Sequence, residues 1–365
     1  MRPGAPAAAS AVAAPESGSA SASLPSLLSG SLPIGINLDG VLIHDGIRTP
    51  QAPTRMAWVK HSGAFDYIEK NIDPGEDFAP YFDWVERLGL PIRVFGGIFT
   101  AGQDEARMRW GLATGGKLGA RVFNMQLFSR GGDGQPISDA QVADFFVDAL
   151  AHGEPVGCLP TLEVHVDMWS EQFHRIERVA ELLARRNVKL RLTLDHSHLI
   201  FKIGHAAELA LSGLADEPGG AAALLAPGHA TTLYTQWLRE GWVAHAHTRS
   251  VAPGVSHNAA ARRRRDLPGR AIQYPFVQPP AGSFHTDWQA ERLAPWKQAV
   301  TDLLAYMRAH PESSPQQVSC EFIPFADYGG GGRYSIWSNN LACAAWLREQ
   351  WAGLARPVAA ELSAA

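Results

Sequence analysis

Four short β-prone runs end in residues able to hold a cation. The run 158–165 carries Glu163, 189–195 ends on Asp195, 242–247 ends on His247, and 318–322 carries Glu321. Side chains alternate along a strand, so Thr161, Glu163 and His165 share one face, as do Thr193 with Asp195 and His245 with His247. Two glutamates, one aspartate and one imidazole make an oxygen-rich ligand set, suited to Mn²⁺, Mg²⁺, Co²⁺ or Zn²⁺ and not to a thiolate-seeking metal. Carboxylates buried together without a cation or basic partners would cost on the order of several kcal/mol, so their clustering itself demands positive charge. Removing a proton beside a carbonyl leaves an enediolate, which a divalent cation stabilises by chelating two adjacent oxygens. A carboxylate on each face of the substrate can then take the proton and return it.

Bringing four strand tips to one cation requires a scaffold that ends its strands on a common face. Strand-like runs at 34–38, 65–69, 92–96 and 121–126 precede the four above and bring the count to eight. Helical patterns over 77–88, 103–117, 138–152 (capped by Ser138), 170–186, 288–309 and 336–354 alternate with them. In the fourth of these Phe173, Ile176, Val179, Ala180 and Leu183 recur at helical spacing. This α/β alternation predicts a (β/α)₈ TIM barrel over 32–355. An open doubly wound sheet fits less well, because no glycine-rich phosphate fingerprint follows the first strand. The Ala/Gly/Pro-rich stretch 211–229 reads as a broken helix. The segment 250–284 after the seventh strand is too long for an idle connector and is expected to lie over the barrel mouth as a lid. It carries Arg262, Arg263, Arg264 and Arg265, which read as a solvated patch or as a contact for an anionic substrate group.

The chain has 365 residues, 46% hydrophobic and 19% charged, with a net charge of -4. That is the composition of an ordinary globular domain with no basic field for nucleic acid. No apolar run reaches about 18 residues, so no spanning helix is expected. Cys158, Cys320 and Cys343 lack metal-type spacing and read as buried reduced thiols of a cytoplasmic protein. Residues 1–31, mostly Ala, Ser, Pro, Gly and Leu, are expected to be a disordered low-complexity tail and not a targeting peptide. Residues 356–365 form a second tail.

The order Glu-Asp-His-Glu on strands five to eight resembles the xylose-isomerase-like superfamily of TIM barrels, which includes sugar and sugar-phosphate isomerases and epimerases. The resemblance covers roughly 33–352 and rests on Thr161-Leu162-Glu163, Asp195-His196-Ser197-His198, His245-Ala246-His247 and Cys320-Glu321-Phe322. It implies one divalent metal ion held by Glu163, Asp195, His247 and Glu321, with Glu163 and Glu321 also exchanging a proton with a sugar or polyol. In the ketose 3-epimerases of the superfamily a histidine three residues after the aspartate contacts substrate, which points to His198. Two features depart from those epimerases. Arg249 follows His247 by only two residues, and their second glutamate on the fifth βα loop has no clear counterpart, though Asp167 and Glu171 are near. Other members run aldose–ketose isomerisation or dehydrate cyclic polyols and dehydroshikimate, so a lyase or dehydratase is the alternative. An endonuclease-IV-type phosphodiesterase fits poorly, since the third strand offers no histidine and no Asp-x-His follows His247. A barrel that has lost catalysis and serves as a binding subunit is a third reading.

Position suggests further roles. His165, just beyond Glu163, is expected to be a general base or substrate donor. Asn124, Gln126, Lys60 and His61 are expected near strand ends, where they would hold hydroxyls. Arg249 and Arg333 could clamp a carboxylate or phosphate. His245, one layer below the metal, reads as an orienting residue and His196 as a packing one. The run Gly329, Gly330, Gly331, Gly332 reads as a flexible loop or a phosphate site. Trp58, Trp169 and Trp337 are expected to wall the site. A homo-oligomer is compatible with all of this.

Overall fold

The structure, a computed structural model, describes residues 30–42, 51–73, 75–217, 220–229, 231–254, 258–264, 267–313, 315–325, 328 and 333–354. Both tails beyond 30 and 354, the glycine run 329–332, and the side chains of the four consecutive arginines lie outside the described residues.

Eight parallel strands close into a barrel: β1 (Ile34–Asn37), β2 (Tyr67–Asn71), β3 (Ile92–Phe99), β4 (Val122–Leu127), β5 (Leu159–Glu163), β6 (Leu192–Asp195), β7 (Val243–Thr248) and β10 (Val318–Cys320). Between β7 and β10 an antiparallel ribbon, β8 (Asn258–Arg264) with β9 (Leu267–Gly269), stands apart from the barrel sheet. Helices α1 (Ala52–Ser62), α2 (Ala79–Leu88), α3 (Glu105–Leu118), α4 (Asp139–Gly153), α5 (His174–Ala184), α10 (Ala294–Ala309) and α11 (Ile336–Gly353) alternate with the strands. Between β6 and β7 lie four short helices, α6 (Ser197–Ile200), α7 (Ala206–Leu211), α8 (Ala221–Leu225) and α9 (Leu233–Arg239); the stretch 211–229, expected as a broken helix, holds the last residue of α7 and all of α8.

Local chemistry sets the boundaries. Ser138 and Gln141 form a reciprocal capping box that starts α4, satisfying two backbone N–H groups that would otherwise be orphaned. Val142, Phe145, Phe146 and Ala149 then lie on the buried face of that helix. In α5 the residues Ile176, Val179, Ala180 and Leu183 are buried, as their spacing predicts.

One helix leaves little mark in the sequence. α1 buries only Met56 and Val59, so it shows no apolar stripe. Pro53 in its first turn and Gly63 in the left-handed conformation (φ 63°) mark its ends. This helix corrects the expectation for Lys60, which sits exposed in its last turn. There its ammonium donates to the Gly89 carbonyl at the end of α2 (3.2 Å), away from the strand tips. His61 beside it is equally exposed.

The barrel axis is filled from below by Tyr67. Its hydroxyl donates to the Val318 carbonyl (2.7 Å) and lies 3.1 Å from Ser319 Oγ. Gly35 on β1 makes room for the ring, because a Cβ there would stand 2.1 Å from it. Gly35→Ala is therefore expected to destabilise the fold by about 1–3 kcal/mol, the usual scale for overpacking. A urea midpoint equal to the parent's would show that the ring can move aside. Cys158, Cys320 and Cys343 are buried and unbonded. No helix among the described residues is long and apolar enough to cross a membrane.

Candidate metal centre

Ladder register explains how the tips meet. Glu163 pairs with Thr193, Asp195 with His247, and His247 with Ser319, so each later strand contributes its polar tip at the same level or one step higher. Strand tilt in a closed barrel turns that stagger into convergence. Ligand atoms of Glu163, Asp195, His247 and Glu321 all lie within 4.8 Å of one another, and all four residues are buried.

Three atoms of the cluster, Glu163 Oε1, His247 Nδ1 and Glu321 Oε2, are buried without a hydrogen-bond partner. His247 Nδ1 stands 3.4 Å from Glu163 Oε1 and 3.0 Å from Glu321 Oε2. A trio of facing, orphaned, electron-rich atoms fits a divalent cation, and the donor set matches the hard-to-borderline metals. Asp195 is already engaged. Its Oδ1 accepts from the Ser197 backbone N–H (2.8 Å), and its Oδ2 accepts from the Arg249 guanidinium.

The other atoms of these four side chains are held in place. Glu163 Oε2 accepts from Asn124 Nδ2 (2.7 Å) and Gln126 Nε2 (2.8 Å), which leaves Oε1 free to face the centre. The expectation that Asn124 holds a substrate hydroxyl is thereby narrowed, because its amide nitrogen is committed to Glu163. His247 Nε2 donates to Glu69 Oε1 (2.9 Å), which orients the ring so that Nδ1 faces the centre and presents a lone pair there once its proton is lost. Glu69 Oε2 also faces His245 Nε2 (3.4 Å), so His245 lies beneath the centre, as expected for an orienting residue. Asn37 Nδ2 reaches Glu321 Oε1 (3.5 Å).

Glu69 and Asn37 are not among the residues that sequence reasoning singles out. A signal is present all the same: Glu69 alternates with Tyr67 and Asn71 on β2, and an acid on an inward face needs a partner. Glu69→Gln should weaken divalent-metal affinity by about 10–100-fold, the usual cost of losing an outer hydrogen bond to a ligating histidine. Isothermal titration with Mn²⁺ measures this, and an unchanged affinity would rule out the orienting role.

Electrostatics follow from burial among fixed charges. Burial drives the His247 imidazolium down, but Glu321, Glu69 and Glu163 outweigh it and hold its pKa well above the ordinary value. Burial raises Glu321, His247 and Arg249 oppose it, and the carboxyl ends up pushed up to about 7. Burial also raises Glu163, but His247 prevails and holds it at about 2.

Around this floor opens a cavity of about 690 Å³, lined by Asn37, Asn71, Asn124, Gln126, His165, Arg249, Glu321 and Tyr328, with Ile72, Ile98, Phe128, Ile323 and Phe325 on its apolar side. His165 donates Nδ1–H to the Val166 carbonyl (2.6 Å), so its Nε2 accepts from the Tyr328 hydroxyl (2.9 Å). Burial pushes its pKa down, which keeps it neutral. Arg249, the expected clamp, lies on the same floor, with Nη2 2.7 Å from His198 Nε2, 3.4 Å from Glu321 Oε2 and its guanidinium over the Tyr328 ring.

Other expectations are corrected. His198 is fully buried beneath Arg249 and His165 and does not line the cavity, so it is a support and not a substrate contact. Glu171 is fully spent on Lys202 (2.8 Å), Arg270 (2.5 Å) and the Asp167 backbone N–H (2.6 Å). Through Arg270 it anchors the long connector where it leaves the ribbon, and Arg270 and Ile272 of that connector form one wall of the cavity. Arg333 donates to the Gly282 carbonyl (2.8 Å) outside the cavity. Trp169 is buried, and Trp58 and Trp337 pack against the core; none of the three lines this cavity. His196 is buried edge-on to Tyr234, with burial, against the pull of Asp195, pushing its pKa down to about 4.

No protein-family model matches the sequence, and no curated protein matches it. Solved structures match throughout the barrel. A D-allulose 3-epimerase from Methylomonas sp. in complex with D-allulose superposes with a TM-score of 0.50 at 12% identity, covering 88% of this chain and 97% of that one. A xylose isomerase-like TIM barrel/4-hydroxyphenylpyruvate dioxygenase fusion protein gives 0.50 at 13% identity, over 88% of this chain and 44% of that one. An AP endonuclease, family 2, from Brucella melitensis gives 0.48 at 12% identity, over 87% and 99%. The neighbours are xylose isomerase-like TIM-barrel proteins, and at these identities the likeness establishes the shared fold.

Proposed function

We propose that this protein is a divalent-metal-dependent isomerase or epimerase that moves a proton on a sugar or sugar derivative. The observation that carries the reading is the facing trio of orphaned buried atoms, Glu163 Oε1, His247 Nδ1 and Glu321 Oε2, at the floor of a polar cavity. Glu163, Asp195, His247 and Glu321 would hold Mn²⁺, Mg²⁺, Co²⁺ or Zn²⁺. When bound, such an ion polarises a carbonyl and its neighbouring hydroxyl, acidifying the C–H between them.

The chain's own groups do the rest. Glu321 lines the cavity where a substrate would sit, whereas Glu163 is fully enclosed. Glu321 is therefore the first carboxylate to meet a substrate proton, and Glu163 serves the opposite side. Asn124 and Gln126 keep Glu163 from rotating, so its reactive oxygen stays aimed. Arg249 places fixed positive charge beside the position where oxygen charge develops. The barrel shared with the D-allulose complex supports a sugar-class substrate, and three unbonded buried cysteines support a cytoplasmic setting.

A second reading, lyase or dehydratase, is favoured by one feature. The Tyr328 hydroxyl, hydrogen-bonded to neutral His165 at the cavity edge, is a proton source placed for a departing hydroxyl. Incubating metal-loaded protein with keto-sugars and polyols in heavy water separates the two. Deuterium gain without mass loss indicates isomerisation or epimerisation, and loss of water indicates the lyase. No exchange and no loss across the panel would overturn both.

A further inference from the structure

The opposite mouth of the barrel holds a second cavity, of about 890 Å³, with a different chemistry. Four cationic side chains line it, Arg93, Arg121, Lys189 and Arg191, against two carboxylates, Glu154 and Glu312. Arg191 precedes β6 by one residue and shares the inward face of Thr193 and Asp195. Its Nε is buried without a hydrogen-bond partner, and Glu154 acts on it only through space.

Three other enclosed arginines differ in being held by carboxylates. Arg249 is bound by Asp195 and Ser197, Arg270 by Glu171, Glu208 and Asp167, and Arg175 by Asp139. Among the described residues none of the four cations at the lower mouth has a carboxylate in ion-pair contact. Arg93 instead lies over the Tyr67 ring (5.8 Å). The C-terminal ends of α4 and α5 point toward this face, and helix dipoles there attract cations. Yet none of the four side chains donates to a helix carbonyl among the described residues. Like charges gathered in a concavity and left unpaired repel one another, and a multivalent oxyanion would relieve the repulsion with charge-assisted hydrogen bonds.

We propose that the strand-entry mouth of the barrel is a binding site for a small multivalent oxyanion, a phosphate- or sulfate-type group, held by Arg93, Arg121, Lys189 and Arg191. The cavity falls in the size range of small-molecule sites, so the group would be carried on a larger metabolite. It lies at the far end of the barrel from the metal centre and does not depend on the function proposed above.

The experiment is thermal unfolding of the full chain with sulfate or inorganic phosphate, against sodium chloride at matched ionic strength. A ligand of the folded state raises Tm saturably, whereas screening alone does not distinguish the salts. The expected result is a saturable shift with the dianions only. Arg191→Leu should unfold no earlier than the parent in chloride and should lose the dianion shift. Arg121 is exposed, so its replacement should spare the fold, and titration calorimetry on Arg121→Gln should show roughly tenfold weaker sulfate binding, the loss of one charged contact. A shift no larger than chloride's overturns the proposal. So does a shift that persists in Arg191→Leu, or unchanged sulfate affinity in Arg121→Gln.

Discussion

His247→Ala should leave the protein folded and unable to retain a divalent ion. His247 is the only nitrogen ligand in the four-residue cluster, and its Nδ1 stands between Glu163 and Glu321. Losing an outer hydrogen-bond partner costs about 10–100-fold in metal affinity, so losing the ligand itself should cost at least about 100-fold. Elemental analysis of purified parent and variant reads this directly, and equal metal content would show that any bound ion lies elsewhere. The parent should also show a pH signature. The raised His247 pKa means that the ion must compete with a proton for the imidazole. Affinity therefore rises with pH, by about one log unit per pH unit while that proton is present, and levels off above the pKa. A flat profile between about pH 5 and 8 would contradict the linkage.

What is legible in the sequence divides along physical lines. Short β-prone runs alternating with helical patterns locate all eight strands, and on strands five to eight polar side chains alternate toward the barrel axis with apolar ones toward the helices. The ends of strands are less sharply marked, since a strand stops where its ladder partners stop and not where its own alternation does: β2 runs to Asn71 instead of stopping at Glu69, and β3 continues to Phe99. α1 escapes the pattern because it buries two side chains only. The four clustered tips are legible because each is an acid or imidazole at or next to the end of a β-prone run. Glu69 ends the 65–69 run in the same way, but only the closed barrel brings β2 across to β7 and sets its carboxylate against His247. Lys60 and His198 depart from expectation for a different reason. Proximity in sequence to a strand end says nothing about which end of a helix a residue occupies, or whether a side chain is roofed by another such as Arg249.

Glu321→Gln should abolish turnover while preserving the fold, and the two halves of that statement rest on separate observations. Glu321 Oε2 stands 3.0 Å from His247 Nδ1 and 3.4 Å from Arg249 Nη2, both cationic groups, while Oε1 lies 3.5 Å from the Asn37 amide nitrogen. A glutamine has the same shape and can keep its oxygen toward His247 and Arg249. Arg249 keeps Asp195 as its counter-charge, so no buried cation is stranded. The amide, however, has no lone pair basic enough to take a substrate proton. The loss expected for a missing acid–base group is about 10²–10⁴-fold in solvent deuterium exchange, measured at saturating metal so that weaker ion binding does not masquerade as lost chemistry. Glu163→Gln should match it, because proton return on the second face needs the second carboxylate. If one variant retains parental exchange while the other is dead, a single carboxylate serves both faces and the two-base arrangement fails.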